Sequence, residues 1–377
     1  MLLLKNATIY PQTEEAPFVG DILCRDGKIA AIGQGLTPED VPEQPEVLDL
    51  TGLHLLPGLI DCHAHVGLMN GVTEATRPIT ADMHAIYGVD VSAPYFPFAV
   101  KNGVTTLGLI PGSANVICGM GVAARTWGDN IFDMCLRNNM CMKAALGENP
   151  KGWYQNRGVE PDSRMGATFL LEEFLYNAHA YWEKKDAGEA VERQPDYEAM
   201  GPVFRKEIPL RIHCTHNDML SAIQCATRYG LWFTLEHAWG STNYLDEIAE
   251  SGCGIVYGPI GGRRSFYESR MTDIEAVAEL DRRGVEVSLT TDSPILGLDS
   301  LLTEMEEAVR QGTELLRALR MVTIHPARVL GLADRVGSIE VGKDANFAVF
   351  QGLPGRDMGA EVACTVCEGQ VRYRKEA

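Results

Sequence analysis

The feature that most constrains this chain is a long central stretch in which apolar, strand-like runs take turns with amphipathic segments. The strand-like runs are "HLLPGLIDCHAH", "VTTLGLIP", "MCMKAALG", "IPLRIHCT", "LWFTLEHA", "GIVYGP" and "GVEVSLTTD", with a further short one near "NVICGMGV". Between them stand segments with helical apolar spacing, among them "MGATFLLEEFLYNAHAYWEKK", "SAIQCATRYG", "NYLDEIAESG" and "TDIEAVAELDRRG". Alternation of this kind over roughly 270 residues predicts an α/β fold of the (β/α)₈, TIM-like barrel type. The nearly continuous apolar strands fit a parallel sheet buried on both faces. The two chain ends read differently, as short strands between Gly, Asp and Pro turn signals. In "RDGKIAAIG", Asp26-Gly27 marks a tight hairpin. The polar run Glu183–Pro202 is expected to extend one helix and its loop over the surface.

Composition narrows the function classes. Of 377 residues, 51 are acidic and 33 basic, for a formal charge of −18. That balance disfavours nucleic acid, whose binding draws on clustered Lys and Arg. The opening "MLLLKNATIY" is too short for a signal peptide, and no apolar run of about 18 residues is present, so a soluble, cytoplasmic protein without a membrane segment is expected. Ten cysteines are scattered through apolar segments and read as buried free thiols. Cys364-x-x-Cys367 lacks the second pair a zinc knuckle needs and reads as strand.

Chemistry concentrates at predicted strand ends. His65, Gly147–Glu148, His213, His237 and Asp292 each close an apolar run, and in a barrel such ends converge on one rim. In "LIDCHAH", His63 and His65 are two residues apart and project from one face of the strand. Taken singly, a strand histidine is usually a satisfied core residue, and Asp292 in "TTDSP" could cap the next segment. Taken together, four histidines and a carboxylate suit Zn²⁺ or a similar ion. Such an ion lowers the pKa of water to about 7, and an adjacent carboxylate can carry the proton to a leaving nitrogen.

"PGLIDCHAH", "PLRIHCTH", "LEHAWG" and "TTDSP" resemble the metal-dependent amidohydrolase superfamily. The closing "TIHPARVLGLADRVGSIEVGKDANFAVF" is similar to the C-terminal signature of its imidazolonepropionase-like and dipeptidase-like members. The resemblance implies a barrel over residues 56–334 and a composite β-sandwich from residues 1–55 plus 335–377. It implies His63 and His65 as ligands of one metal, His213 and His237 as ligands of a second, and Asp292 as ligand and proton acceptor. The anionic bridge between two metals would come from a carboxylated Lys143 or from Glu148. Glu148 is preferred because it stands at the strand end and needs no modification. One or two divalent ions are expected, zinc first, with manganese, iron and nickel also compatible.

Residues outside that set are assigned to substrate. Arg157, Arg164 and Lys151 in the loop after the fourth strand, and Arg263 with Arg264 in "GPIGGRRSFYESR", are candidates to hold a carboxylate. "IPGSANVICGMG" could offer backbone donors to a carbonyl, and His216 is expected to touch substrate or support a ligand. Asp61 is assigned a supporting role, and His54, His84, His179 and His325 are assigned to structure. The expected reaction is hydrolysis of a C–N bond in a small molecule: a cyclic amide such as an imidazolone, a dipeptide, or an N-acyl amino acid. Deamination of a heterocyclic amidine is the alternative, but the H-x-x-E spacing that goes with it is broken by His216. A non-catalytic homologue is disfavoured by the complete histidine set. A homodimer is expected on base rate alone.

Overall fold

The computed structural model describes residues 1–37, 44–68, 71–216, 218–260 and 268–376. The N-terminal segment supplies β1 (Leu2–Ile9), β2 (Phe18–Arg25), β3 (Lys28–Gly33), β4 (Glu46–Asp49) and β5 (His54–Pro57). The central segment supplies β6 (Leu59–Ala64), β7 (Val104–Leu109), β8 (Ile117–Met120), β9 (Val122–Arg125), β10 (Cys135–Arg137), β11 (Met142–Ala145), β12 (Leu210–Cys214), β13 (Phe233–His237), β14 (Gly254–Tyr257) and β15 (Val287–Leu289). The C-terminal segment supplies β16 (Phe347–Gln351), β17 (Glu361–Cys367) and β18 (Gln370–Arg374).

The two ends meet in one sheet of order β18-β17-β16-β5-β1-β2-β3, with β4 beside β1. Asp26 and Gly27 both have positive φ, 51° and 77°, and join β2 to β3 in the hairpin that Asp-Gly favours. Leu4, Ile22, Leu55, Phe347 and Val349 form the buried face of this sheet. Cys364 and Cys367 lie buried in β17, and every cysteine is a free thiol.

"HLLPGLIDCHA" is divided rather than forming one strand. β5 pairs with β1 and β16 in the terminal sheet, whereas β6 pairs in parallel with β7. The break falls at Gly58, where a Cβ would stand 2.2 Å from Thr105 Oγ1. Only a residue without a side chain lets the chain cross so close to β7. The first strand of the site is thereby fixed to both sheets.

The central strands form a six-stranded sheet of order β15-β14-β13-β12-β11-β8 and a four-stranded sheet of order β10-β9-β7-β6. The run from β11 to β15 is parallel throughout, as the alternation of strand and helix requires. In place of a third parallel strand, β8 and β9 run antiparallel to β11 and β7 respectively. Gly121 between them is packed close to Cys141, with its N–H donating to Cys141 O at 3.1 Å. At the other margin, His65 N donates to Ser293 O at 2.7 Å and Thr290 Oγ1 to His63 O at 2.7 Å, linking β6 to the segment after β15.

Helices pack against these strands in a mixed α/β arrangement. The polar run around residue 190 is less of a loop than its composition predicts. The helix Arg164–Asp186 is followed by Pro195–Ala199 and Gly201–Phe204, and the return is tied by Lys185 to Glu198 at 2.6 Å and Trp182 Nε1 to Tyr197 O at 2.7 Å. Among the described residues no helix is long and apolar enough to cross a membrane.

Candidate active site

The ends of β6, β12 and β13, and the turn after β15, bring His63, His65, His213, His237 and Asp292 together. Register accounts for part of this: Cys214, next to His213, pairs with His237 across the β12–β13 ladder. Ring centroids of His63 and His65 are 5.3 Å apart, those of His63 and His237 4.8 Å, and those of His213 and His237 4.4 Å. Asp292 reaches the group from a left-handed turn, with φ of 52°. Its Oδ1 lies 3.1 Å from His65 Nε2 and 3.6 Å from His63 Nε2.

Each ring is oriented by its other nitrogen. His65 Nδ1 donates to Ile110 O at 2.8 Å, and His237 Nδ1 donates to Gly258 O at 2.7 Å. A backbone carbonyl can only accept, so these rings carry hydrogen on Nδ1 and turn a lone pair on Nε2 into the site. His63 Nδ1 stands 2.6 Å from Glu236 Oε2, and its buried Nε2 has no hydrogen-bond partner among the described residues. Burial and the Lys143 charge hold His63 far below the ordinary imidazole range, despite the opposing pull of Glu236. Burial and His213 push His237 down to about 3. Burial opposes ionisation of Asp292, but the surrounding His65, His237 and His63 hold its carboxyl well below the usual carboxylate range.

Three acceptors therefore face one another: the Nε2 lone pairs of His63 and His65 and the carboxylate of Asp292, all within 4.8 Å. Convergent acceptors repel one another, and a cation among them would offset that repulsion. Two imidazoles and a carboxylate are the donor set of Zn²⁺ and similar divalent ions. The residues fit the metal that the sequence motif implies.

Lys143 is fully buried in β11, and its Nζ has no hydrogen-bond partner among the described residues. Burial drives its pKa down, against the pull of Glu236. Glu148 opens the helix Glu148–Gln155, and its carboxylate is engaged by Lys151 at 3.1 Å and Arg164 at 3.1 Å. Gly147 before it has φ of 83°, and a Cβ there would stand 2.5 Å from Glu268 Oε1. His213 differs from the other rings: Nδ1 is buried without a partner, and Nε2 faces Glu268 Oε2 at 3.4 Å and Asn149 at 3.5 Å. Burial opposes the charge on Glu268, but His213 and Arg164 bring its pKa down to about 2.

A cavity of about 530 Å³ opens above the cluster, lined by His65, His213, His237 and Asp292, by Glu148 and Glu268, and by Ser113 and Trp239 among others. Arg157 and Arg164, expected to bind a substrate carboxylate, do not line this cavity. Arg157 stacks on the Trp153 ring at 3.8 Å and donates to Trp153 O, outside the cavity wall. Arg164 is shared among Glu148, Asp218 and Glu268, three acidic side chains that its helix end faces. His216 packs its ring edge-on against Tyr244, its backbone N–H donates to Trp239 O, and it does not line the cavity. Arg263 and Arg264 lie outside the described residues. Asp61 accepts from His63 N, Thr290 Oγ1, Thr291 N and Thr291 Oγ1, so it ties β6 to the turn that carries Asp292. His54, His84 and His325 bond to Tyr10, Asn139 and the Val287 carbonyl, and His179 packs against Phe204 and Tyr229.

Three site residues, Arg211, Glu236 and Glu268, escape the strand-end pattern. The available signal was a charge inside an apolar run: Arg211 two residues before His213, and Glu236 directly before His237. Strand alternation sends Glu236 and His237 to opposite faces. A left-handed backbone at His237 (φ 67°) and Ala238 (φ 51°) undoes that alternation and brings both side chains inward.

Comparison with known proteins agrees with the motif and the geometry. Residues 211–372 match the amidohydrolase family. The crystal structure of an amidohydrolase from Thermotoga maritima is similar over the full length of both chains, at 33% identity and a TM-score of 0.92. The imidazolonepropionase of Sphingopyxis alaskensis is 27% identical over 88% of this chain and 86% of its own length. The amidohydrolase tasK of Hapsidospora irregularis is 25% identical over 93% of this chain, which spans only 41% of that larger protein. With the motif on its strand ends and a relative matched from end to end, this chain belongs to the amidohydrolase family.

Proposed function

We propose that this protein is a metal-dependent hydrolase of a C–N bond, an amide or cyclic amide, in a small substrate. The reading places the site at one rim of a (β/α)₈ barrel spanning 56–334, with the two chain ends, 1–55 and 335–377, as a composite β-sandwich beside it. The observation that carries it is the convergence of His63, His65 and Asp292 acceptor atoms within 4.8 Å at the floor of a cavity. The cavity volume suits a small molecule.

His63, His65 and Asp292 would hold one divalent ion, and His213 and His237 a second, with Lys143 favoured over Glu148 as the bridge. That preference rests on the unpartnered, buried amine of Lys143 and on the engagement of Glu148 by Lys151 and Arg164. When bound, such an ion lowers the pKa of water and polarises a carbonyl. Asp292 is placed to take the proton from the attacking water and return it to the leaving nitrogen. His65 and His237, fixed through Nδ1, keep the floor of the site rigid during this transfer. Glu148, Glu268 and Asn149 on the wall offer acceptors for substrate N–H groups. The likeness to an imidazolonepropionase supports a cyclic amide ahead of a dipeptide or N-acyl amino acid.

The test is metal analysis of protein purified without chelator, together with hydrolysis assays on cyclic amides, dipeptides and N-acyl amino acids. At least one divalent ion per chain and turnover of one substrate class are expected. Absence of both metal and turnover would sink the reading.

A further inference from the structure

Beneath His63 lies a buried ion pair that the proposed chemistry does not use. Arg211 donates from Nη2 to Glu236 Oε2 at 2.6 Å, from Nε to Glu236 Oε1 at 2.9 Å, and from Nη1 to Cys62 O at 2.7 Å. Thr234 Oγ1 donates to Glu236 Oε1. The side chains of Arg211, Glu236 and His63 are all 0% exposed. Burying two ions costs desolvation that can exceed the gain from pairing, and apolar residues of similar volume often replace such a pair without loss of stability. Stability alone therefore does not account for the pair.

The geometry accounts for it differently. Arg211 donates to both carboxylate oxygens of Glu236, from Nε to Oε1 and from Nη2 to Oε2, the two-pronged geometry of a guanidinium on an ionised carboxylate. An ionised carboxylate only accepts, so His63 Nδ1, 2.6 Å from Glu236 Oε2, must carry the ring hydrogen. Nε2 is then the lone pair, and it is the nitrogen that faces Asp292 without a hydrogen-bond partner. Through Cys62 O, the same arginine also pins the backbone that precedes His63.

We infer that Glu236, held in place by Arg211, is a positioning residue that locks the His63 tautomer and aims Nε2 into the ligand cluster. This inference rests on reading His63 as a metal ligand. Carboxylates hydrogen-bonded to ligating histidines generally set ring orientation and basicity in this way, and losing one costs about 10–100-fold in metal affinity.

Two double variants test the role without stranding a buried charge. Arg211→Met with Glu236→Gln keeps a neutral acceptor beside His63, whereas Arg211→Met with Glu236→Leu removes it. In chelator-competition titrations with zinc, the Leu double variant is expected to bind about 10–100-fold more weakly than the wild type. The Gln double variant is expected to recover most of that loss. Equal zinc affinity in the two doubles, with the wild type binding zinc, overturns the positioning role. A wild type that binds no divalent ion overturns the metal-centre reading instead. A second measurement needs no variant in the pair: ¹⁵N imidazole shifts of the full-length, chelator-stripped wild type, with His63 assigned by loss of its signal in His63→Gln. An Nδ1-protonated His63 is expected; an Nε2-protonated or tautomerically mixed ring overturns the inference.

Discussion

His63, His65 and Asp292 are supported from behind, while His213 and Lys143, across the same cluster, are not. On the first side, Glu236 and the Ile110 carbonyl fix the two rings, and Asp61 binds the strand to the turn that carries Asp292. On the second, His213 has one nitrogen against Glu268, and neither its other nitrogen nor the Lys143 amine has a hydrogen-bond partner among the described residues. Pre-organised ligands lose little on capturing an ion, whereas loosely held ones must be ordered by it. The contrast separates a floor tied from behind by Glu236, Ile110 and Asp61 from a side on β11 and β12 that faces the wall residues Glu148, Asn149 and Glu268.

The largest effect should come from the floor. Asp292→Asn keeps the shape of the side chain but removes its basicity, and hydrolysis should fall on the order of 10²–10⁴-fold with the circular dichroism spectrum unchanged. Wild-type turnover in that variant would break the assignment. Next, Asp61→Ala should cost about 3 kcal/mol in urea unfolding, because buried donors at His63, Thr290 and Thr291 lose their acceptor. Asn149→Ala, on the wall, should cost under about 1 kcal/mol, and equal costs would erase the distinction between the two sides.

A subtler contrast lies between the two bridging candidates. Lys143→Met should lower bound metal per chain in elemental analysis, whereas Glu148→Gln should leave it unchanged; the opposite result would move the bridge to Glu148. The smallest effect concerns acid. The folded-state pKa of Glu236 is depressed, so its contribution to stability is full above the ordinary value of 4.5 and is lost as pH falls below it. Urea midpoints of the wild type should therefore drop more steeply from pH 5 to 3, on the order of 1 kcal/mol, than those of the Arg211→Met/Glu236→Leu double variant. Parallel curves would mean that the ion pair carries no such linkage.

Much of the floor was readable in advance because its signals are local. His63 and His65 share a face through the two-residue period of a strand, and an apolar run ending in a histidine or aspartate is visible without a partner. Asp26-Gly27 announced its hairpin through the left-handed conformations that those residues tolerate. The wall was less readable. Arg164 looks free in the sequence, and only the packing of its helix against Glu148, Asp218 and Glu268 commits it. Glu236 was hidden by the very alternation that exposed His63, since one left-handed residue at His237 reverses the rule.

What the sequence determined by itself was the alternation of strand and helix, the residue types at the strand ends and hence the chemistry available there. Tertiary structure alone decided which nitrogen of each ring faces the site, that Gly58 divides one apolar run between two sheets, and that a buried arginine and glutamate stand behind His63. The physical reason is range. Periodicity and turn preference act over a few residues, whereas a tautomer, a burial cost or an ion pair is set by groups far apart in the chain: His63 and Glu236 are separated by 173 residues.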